Sequence, residues 1–360
     1  MLPRSAFLAA LSCLSLPAAK HWGVEKSSFA DPVTGATIVE LATAGVSSNL
    51  YFHFSNFTAD NRYVIFANNR TGSQQLYRAS VPGGEIVQLT DEPGVEAASA
   101  CPDPTDARRV YCVRQGAVYA VNVETFAHCK VAALPGRGAS QPTLSQDGKT
   151  MAFGFQVDDR TWEIGVIDIP TGAYRRVLQQ GFRIGHVQHS PTDPLIFYTW
   201  ETSGYAPQRT WLVNADGTGN RPFYANIEPS KWLTPLKEWI THEAWVPATG
   251  EMSMIHDRFG ILLVKPSGDW RAVAKGWYWH AASTVDGRRL IADDFDGKLW
   301  LIDVATGAAK LLATGLRQPK AIHNHPSWDR TGRYVVFNYT RDGKQTLGLI
   351  DVTAWESGQR

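Results

Sequence analysis

Four histidines, His186, His242, His280 and His325, each stand three residues before the first residue of a segment that recurs along the chain. Where repeats are arranged radially, equivalent positions converge on one axis, so a shared register becomes a cluster of imidazoles in space. A second signal is the pair His323 and His325 in AIHNHPSW. Side chains at i and i+2 of a strand face the same way, which sets these two rings side by side. With His280 from the preceding repeat they make three neutral nitrogen donors, a set suited to a first-row divalent cation. Three imidazoles with an open position describe a catalytic rather than a closed structural metal site. Histidines near inner strands also serve as plain hydrogen-bonding residues, usually behind a glycine; here only His186 follows one, Gly185. His21, His53, His128, His189 and His256 lack the shared register and read as surface or packing residues.

The elements that must position these rings come into view when the segments are stacked. FTADNRYVIF from Phe57, CPDPTDARRVYC from Cys101, LSQDGKTMAF from Leu144, HSPTDPLIFY from His189, WVPATGEMSM from Trp245, STVDGRRLIA from Ser283 and WDRTGRYVVF from Trp328 share one plan. An anchor residue leads into a polar turn and then a β-rich run. Successive anchors lie 44, 43, 45, 56, 38 and 45 residues apart, close to the period of about 40 to 50 residues of four-stranded propeller blades. Most units continue as a hairpin, as in IGVIDIPTGAYRRVL and LWLIDVATGAAKLL. No segment holds a helical period. The expectation is an all-β chain, a seven-bladed β-propeller over residues 20–360, closed by an N-terminal strand. TIVELATAG, residues 37–45, has no blade of its own and is expected to complete the last one, removing an open sheet edge. The longest spacing holds ANIEPSKWLTPLKEW, an insertion expected to lie over one rim.

A net charge of +1 without any basic run argues against a nucleic-acid partner. Residues 1–19 combine Arg4, a short apolar run and small residues, the pattern of a secretory signal peptide and too short for a membrane span. Export is therefore expected, with lipoprotein anchoring at Cys13 as a minor alternative. In an oxidising compartment Cys101 and Cys112 can pair, leaving Cys129 over. The aromatic residues offer flat faces for sugar rings, although core packing accounts for most of them.

The runs IGHVQHSPTDPLIFYTWE, QRTWLVNADG, THEAWVP, HAASTVDG and HNHPSW resemble signatures of the oligogalacturonate lyases, seven-bladed propellers that degrade pectic oligosaccharides. The resemblance runs from about Leu50 onward and is most specific between Gly185 and Trp328. It implies a catalytic base at His242, in His242-Glu243-Ala244-Trp245, and an assisting arginine at Arg209, ahead of Trp211 and the Asn214-Ala215-Asp216-Gly217 turn. It also implies a divalent metal, commonly manganese, on His280, His323 and His325. The family's glutamine ligand has no match: Lys320 stands in its place, with Gln318 two residues away. Either Gln318 or water then completes the coordination, and Lys320, like His186, is left to bind an anionic oligosaccharide substrate directly.

The chemistry so implied is β-elimination on a 4-linked uronate, in which a metal on the carboxylate and a neutral His242 share the task of removing the C5 proton. Arg209 holds the carboxylate or the leaving oxygen. Three other readings stay open. The turns also resemble TolB-like periplasmic binding propellers, which need no metal; another uronate glycan can be the substrate; and glycoside hydrolysis would need a carboxylate pair such as Glu201 and Glu243.

Overall fold

The computed structural model describes residues 20–137, 141–225, 238–316 and 323–358, together with the backbone of the strand Cys13–Ser15. The expected leader, most of the expected rim insertion (residues 226–237 of 225–239), Gln318 and Lys320 lie outside the side chains so described. Seven antiparallel sheets follow one another around a ring, each with at least four strands. The seven-bladed propeller read from the repeat is thus the fold observed, with a single short helix among the described residues, Val352–Gly358, at the end. Among the described residues no helix is long and apolar enough to cross a membrane.

Radial position decides the burial of each strand. In blade 5 the inner strand Ile240–Trp245 and the third strand Gly260–Val264 are buried along their whole length, because neighbouring blades cover both faces. The outermost strand, Trp270–Ala274, is mostly exposed. The core therefore lies between blades: Ile164 and Val166 of blade 3 pack with Ile196 and Tyr198 of blade 4, each contributing about 1.5–3 kcal/mol by leaving water.

The recurring aspartate in the turn after the inner strand has a common task. Asp60, Asp147 and Asp286 each accept a hydrogen bond from the hydroxyl two residues before, at 2.7, 2.7 and 2.6 Å. Each also accepts one from the backbone N–H two residues after, at 3.1 Å. This closes the turn locally, as short polar side chains do, and explains why the turn repeats so visibly in sequence.

The ring closes as expected. Thr37–Glu40 pairs with Lys344–Asp351, so one blade is built from both ends of the chain. The N-terminal segment continues outward: Ser27–Ala30 adds to blade 7, His21–Val24 to the outer edge of blade 1, and Cys13–Ser15 to that of blade 2. The proposed Cys101–Cys112 disulfide is not formed; both thiols are free and buried, whereas Cys129 is disulfide-bonded. Cys101 sits opposite Tyr111 in the ladder, and Cys112, one residue on, faces the other side of the blade, in the core shared with blade 1.

Candidate metal and catalytic site

Each of the four equivalent histidines lies near the start of an inner strand or just before it. The ladder to the neighbouring strand slips between Gly185 and Gln188, between Thr241 and Ala244, and between Tyr278 and His280. His186, His242 and His325 adopt left-handed backbone, with φ of 46°, 55° and 45°. Such conformations cost non-glycine residues about 1–3 kcal/mol each and gather at functional sites. Bulged strands re-aim side chains, and here they turn rings toward the axis.

His242, His280 and His323 offer nitrogen atoms that all lie within 4.8 Å of one another. The fully buried His280 is set by Asp293, which accepts its Nδ1–H at 2.9 Å and its backbone N–H at 2.7 Å. With Nδ1 held by Asp293, Nε2 is the nitrogen left to face an ion, and a carboxyl at Nδ1 is the outer partner a metal-binding histidine usually has. This Nε2 lies 3.2 Å from Nδ1 of His323. Two nitrogens bound about 2.1 Å from one ion lie roughly 3.0–3.4 Å apart. Nδ1 of His242 is buried with no partner, and its ring centroid is 3.9 Å from that of His280. Burial first, then the neighbouring imidazoles, hold His242 and His280 well below the ordinary histidine range, so both present neutral donors at neutral pH. The donor set therefore fits a divalent first-row cation.

His325 adjoins the cluster, its centroid 4.6 Å from His280 and 5.2 Å from His323. The two rings of the H-x-H pair are thus neighbours, but not by strand alternation, since strand begins only at Ser327. Asn49 and Asn338 hold this stretch by donating to the carbonyls of His325 and His323, at 2.6 and 3.0 Å.

His186 takes part in a different network. Its Nδ1 is 2.7 Å from Glu243, and its Nε2 is 3.4 Å from the Tyr51 hydroxyl. Arg209, 1% exposed, donates from Nε to Glu243 at 2.7 Å and lies 3.4 Å from Glu201. Burial alone would raise the Glu243 carboxyl; Arg209 and His186 overcome that and hold it far below the usual range. Glu201 and Glu243 thus serve to seat one guanidinium, which argues against their flanking a scissile bond. A side chain at Gly185 would come within 2.9 Å of the Glu201 carboxylate, which explains the glycine ahead of His186. One Arg209 nitrogen, Nη1, is buried without a hydrogen-bond partner among the described residues.

The sequence did not single out the segment that fills the axis. Phe52 sets its ring 5.1 Å from His280 and 5.9 Å from His325, while Tyr51 lies 4.9 Å from His325. Neither has the register of the four histidines; only their place just before the first anchor, Phe57, hinted at an axial position. A cavity of about 600 Å³ opens beside them, lined by His242, His323, His325 and Tyr51 from one side and by Glu96, Ala98 and Gln141 from blades 2 and 3. That is room for a short oligosaccharide.

No protein-family model matches the chain. It is 22% identical to the oligogalacturonide lyase of Pectobacterium atrosepticum, across 90% of this chain and 95% of that protein. With the oligogalacturonate lyase of Dickeya dadantii the identity is 21%, across 91% and 97%. Among solved structures, an oligogalacturonate lyase in complex with manganese superposes with a TM-score of 0.82 at 20% identity, covering 93% of this chain and 98% of that one. Along about nine-tenths of its length the protein resembles the oligogalacturonate lyases, and it has their seven-bladed fold.

Proposed function

We propose that this protein is a metal-dependent lyase that cleaves short uronate oligosaccharides, oligogalacturonate first among them, by β-elimination. The observation that carries the reading is the convergence of His242, His280 and His323 within 4.8 Å at the wall of a sugar-sized cavity. The whole-length resemblance to lyases of that name supports it.

His280 and His323, with His325 beside them, would hold the ion, manganese by analogy with the neighbouring structure, which leaves His242 free to act as the base. Such an ion acts as a Lewis acid toward the substrate carboxylate, stabilising the charge that develops when the adjacent C–H bond breaks. His242 accepts the C5 proton through a neutral nitrogen. Its low proton affinity rises when an anionic substrate enters beside it. Arg209 reaches the substrate through Nη1 alone, because its other nitrogens are held by Glu243 and Glu201. As the C5–H bond breaks, the C4–O4 bond opens, O4 takes up a proton and a C4–C5 double bond remains; no water is consumed.

Incubation with oligogalacturonate, with and without a chelator, tests this by the ultraviolet absorbance of the unsaturated product. The expected result is a rise that the chelator abolishes and manganese restores. No rise with folded, manganese-supplied protein would remove the pectic assignment. Replacing His242 by Ala is expected to lower turnover about 10²- to 10⁴-fold while metal content stays unchanged. Loss of metal in that variant would make His242 a ligand instead of the base.

A further inference from the structure

An aromatic path leads from the histidines to solvent. Trp279 lies with its centroid 3.9 Å from His323 and stacks on Phe295 at 4.8 Å and 17°. A second arm runs from His242 to Trp239, at 6.2 Å, and from Trp239 to the same Phe295, at 6.1 Å. Both arms end at Trp277, whose ring lies 5.7 Å from Phe295 and which is 71% exposed. These residues come from separate segments of blades 5 and 6. Trp239 precedes Ile240–Trp245, Trp277 precedes Tyr278–Ser283, and Phe295 sits in the hairpin between Arg289–Asp294 and Leu299–Asp303.

Core packing accounts for Trp239 but not for Trp277 or Phe295. Neither Trp277 nor Phe295 belongs to the hydrophobic clusters between blades, and Trp277 stands 71% exposed with the Phe295 ring beside it. A cavity of about 500 Å³ beside them is lined by Lys275, Asp294 and Asp296 as well. The two acids are engaged, Asp294 by the Trp300 indole N–H at 2.8 Å and Asp296 by Lys298 at 3.0 Å. Lys275 is exposed and has no ion pair among the described residues. An aromatic face beside an unpaired cation, continuous with the histidine cluster, matches a ring with an apolar C–H face and a carboxylate.

We propose that Trp277 and Phe295, with Lys275, form an outer subsite for a hexuronate ring of the same oligosaccharide, beyond the two rings that flank the scissile bond. The C–H face of the sugar stacks on Trp277 and Phe295, and its carboxylate pairs with Lys275. This rests on the lyase reading above, since the histidines must hold the two inner rings for the third to reach the platform.

The test compares wild-type protein with Trp277→Ala and Lys275→Ala on di- and trigalacturonate, following KM and kcat separately. Calorimetry with trigalacturonate on the His242→Ala background supplies binding without turnover. Trp277→Ala is expected to raise KM for the trimer roughly tenfold, leave kcat within about twofold, and leave the dimer unaffected. Lys275→Ala should do the same more weakly, and less so at high salt. Equal KM changes for dimer and trimer, or none, would overturn the subsite while leaving the lyase reading intact. So would unchanged kinetics together with a shift from dimer to monomer on sedimentation, which would make the patch a contact between copies. Binding of the trimer through Trp277 with no cleavage by wild type would sink the lyase reading and keep the subsite; neither binding nor cleavage would sink both.

Discussion

Blades 4 to 7 and blades 1 to 3 are built on the same plan, yet they differ at one register. Three residues before the anchor, blades 4 to 7 carry His186, His242, His280 and His325, whereas blades 1 to 3 carry Phe54, Ala98 and Gln141. One arc of the ring supplies nitrogen donors, and from the other Ala98 and Gln141 line the cavity that lies open opposite them. Repetition provides the geometry, and departures from repetition at a single position make the site.

Removing a donor from the histidine arc should have the largest effect. His280→Ala is expected to lower metal affinity and turnover at least about 100-fold, since even outer partners of metal ligands are worth 10- to 100-fold. Metal content after dialysis, read beside the initial rate, checks this. Retention of both would show that the ion, if any, is held elsewhere.

Next in size is the ionic seat behind His186. Glu243 is fully buried between Arg209 and His186, so Glu243→Gln leaves a buried guanidinium with one carboxylate, the partly exposed Glu201, instead of two. Breaking a buried pair costs about 3–5 kcal/mol, and a urea melt should show it as a lower midpoint with an unchanged slope. A loss below about 1 kcal/mol would mean that the network relaxes easily and does not fix the site.

The converse change places a histidine on the open arc. Ala98 lines the cavity from blade 2 with no imidazole in the neighbouring blade at the same register. Ala98→His should therefore leave metal content unchanged and stability within about 0.5 kcal/mol. By narrowing the cavity it should raise KM no more than about tenfold. Gain of a second bound ion would show that register alone, without bulged backbone and outer partners, suffices to make a donor site.

How much of this the sequence carried follows from what repeats. Blade number, ring closure and the shared histidine register were legible because Asp60, Asp147 and Asp286 close equivalent turns with equivalent hydrogen bonds. The membership of the nitrogen cluster was less so. Expectation grouped His280 with His323 and His325; the three whose nitrogens all lie within 4.8 Å of one another are His242, His280 and His323, with His325 beside them. Left-handed backbone at His242 and His325 turns those rings, and periodicity says nothing about φ. Asp293 was invisible for a related reason: it faces His280 across a ladder whose register has slipped by one residue. Tyr51 and Phe52 reach the axis from ahead of the first repeat, a closeness that only closure of the ring creates.

The smallest effect sharpens the same contrast, because the trio of Arg209, Glu243 and His186 has a counterpart on the open arc. Glu92 there contacts Arg114 at 2.5 Å and His128 at 3.1 Å, but it is partly exposed. Its carboxyl is held at about 2: burial alone would raise it, and His128 and Arg114 more than offset that. A carboxylate lowered in the folded state stabilises the fold above its unfolded value near 4.5, and that contribution fades as pH falls toward 2. Glu92→Gln should therefore cost under about 1 kcal/mol at pH 7, as a solvent-screened pair does, and should flatten the fall in stability between about pH 5 and 2. Denaturant midpoints over that range for wild type and variant decide it. Parallel curves would show that Glu92 contributes nothing to the acid limb, and that burial, not the identity of the three residues, separates the two networks.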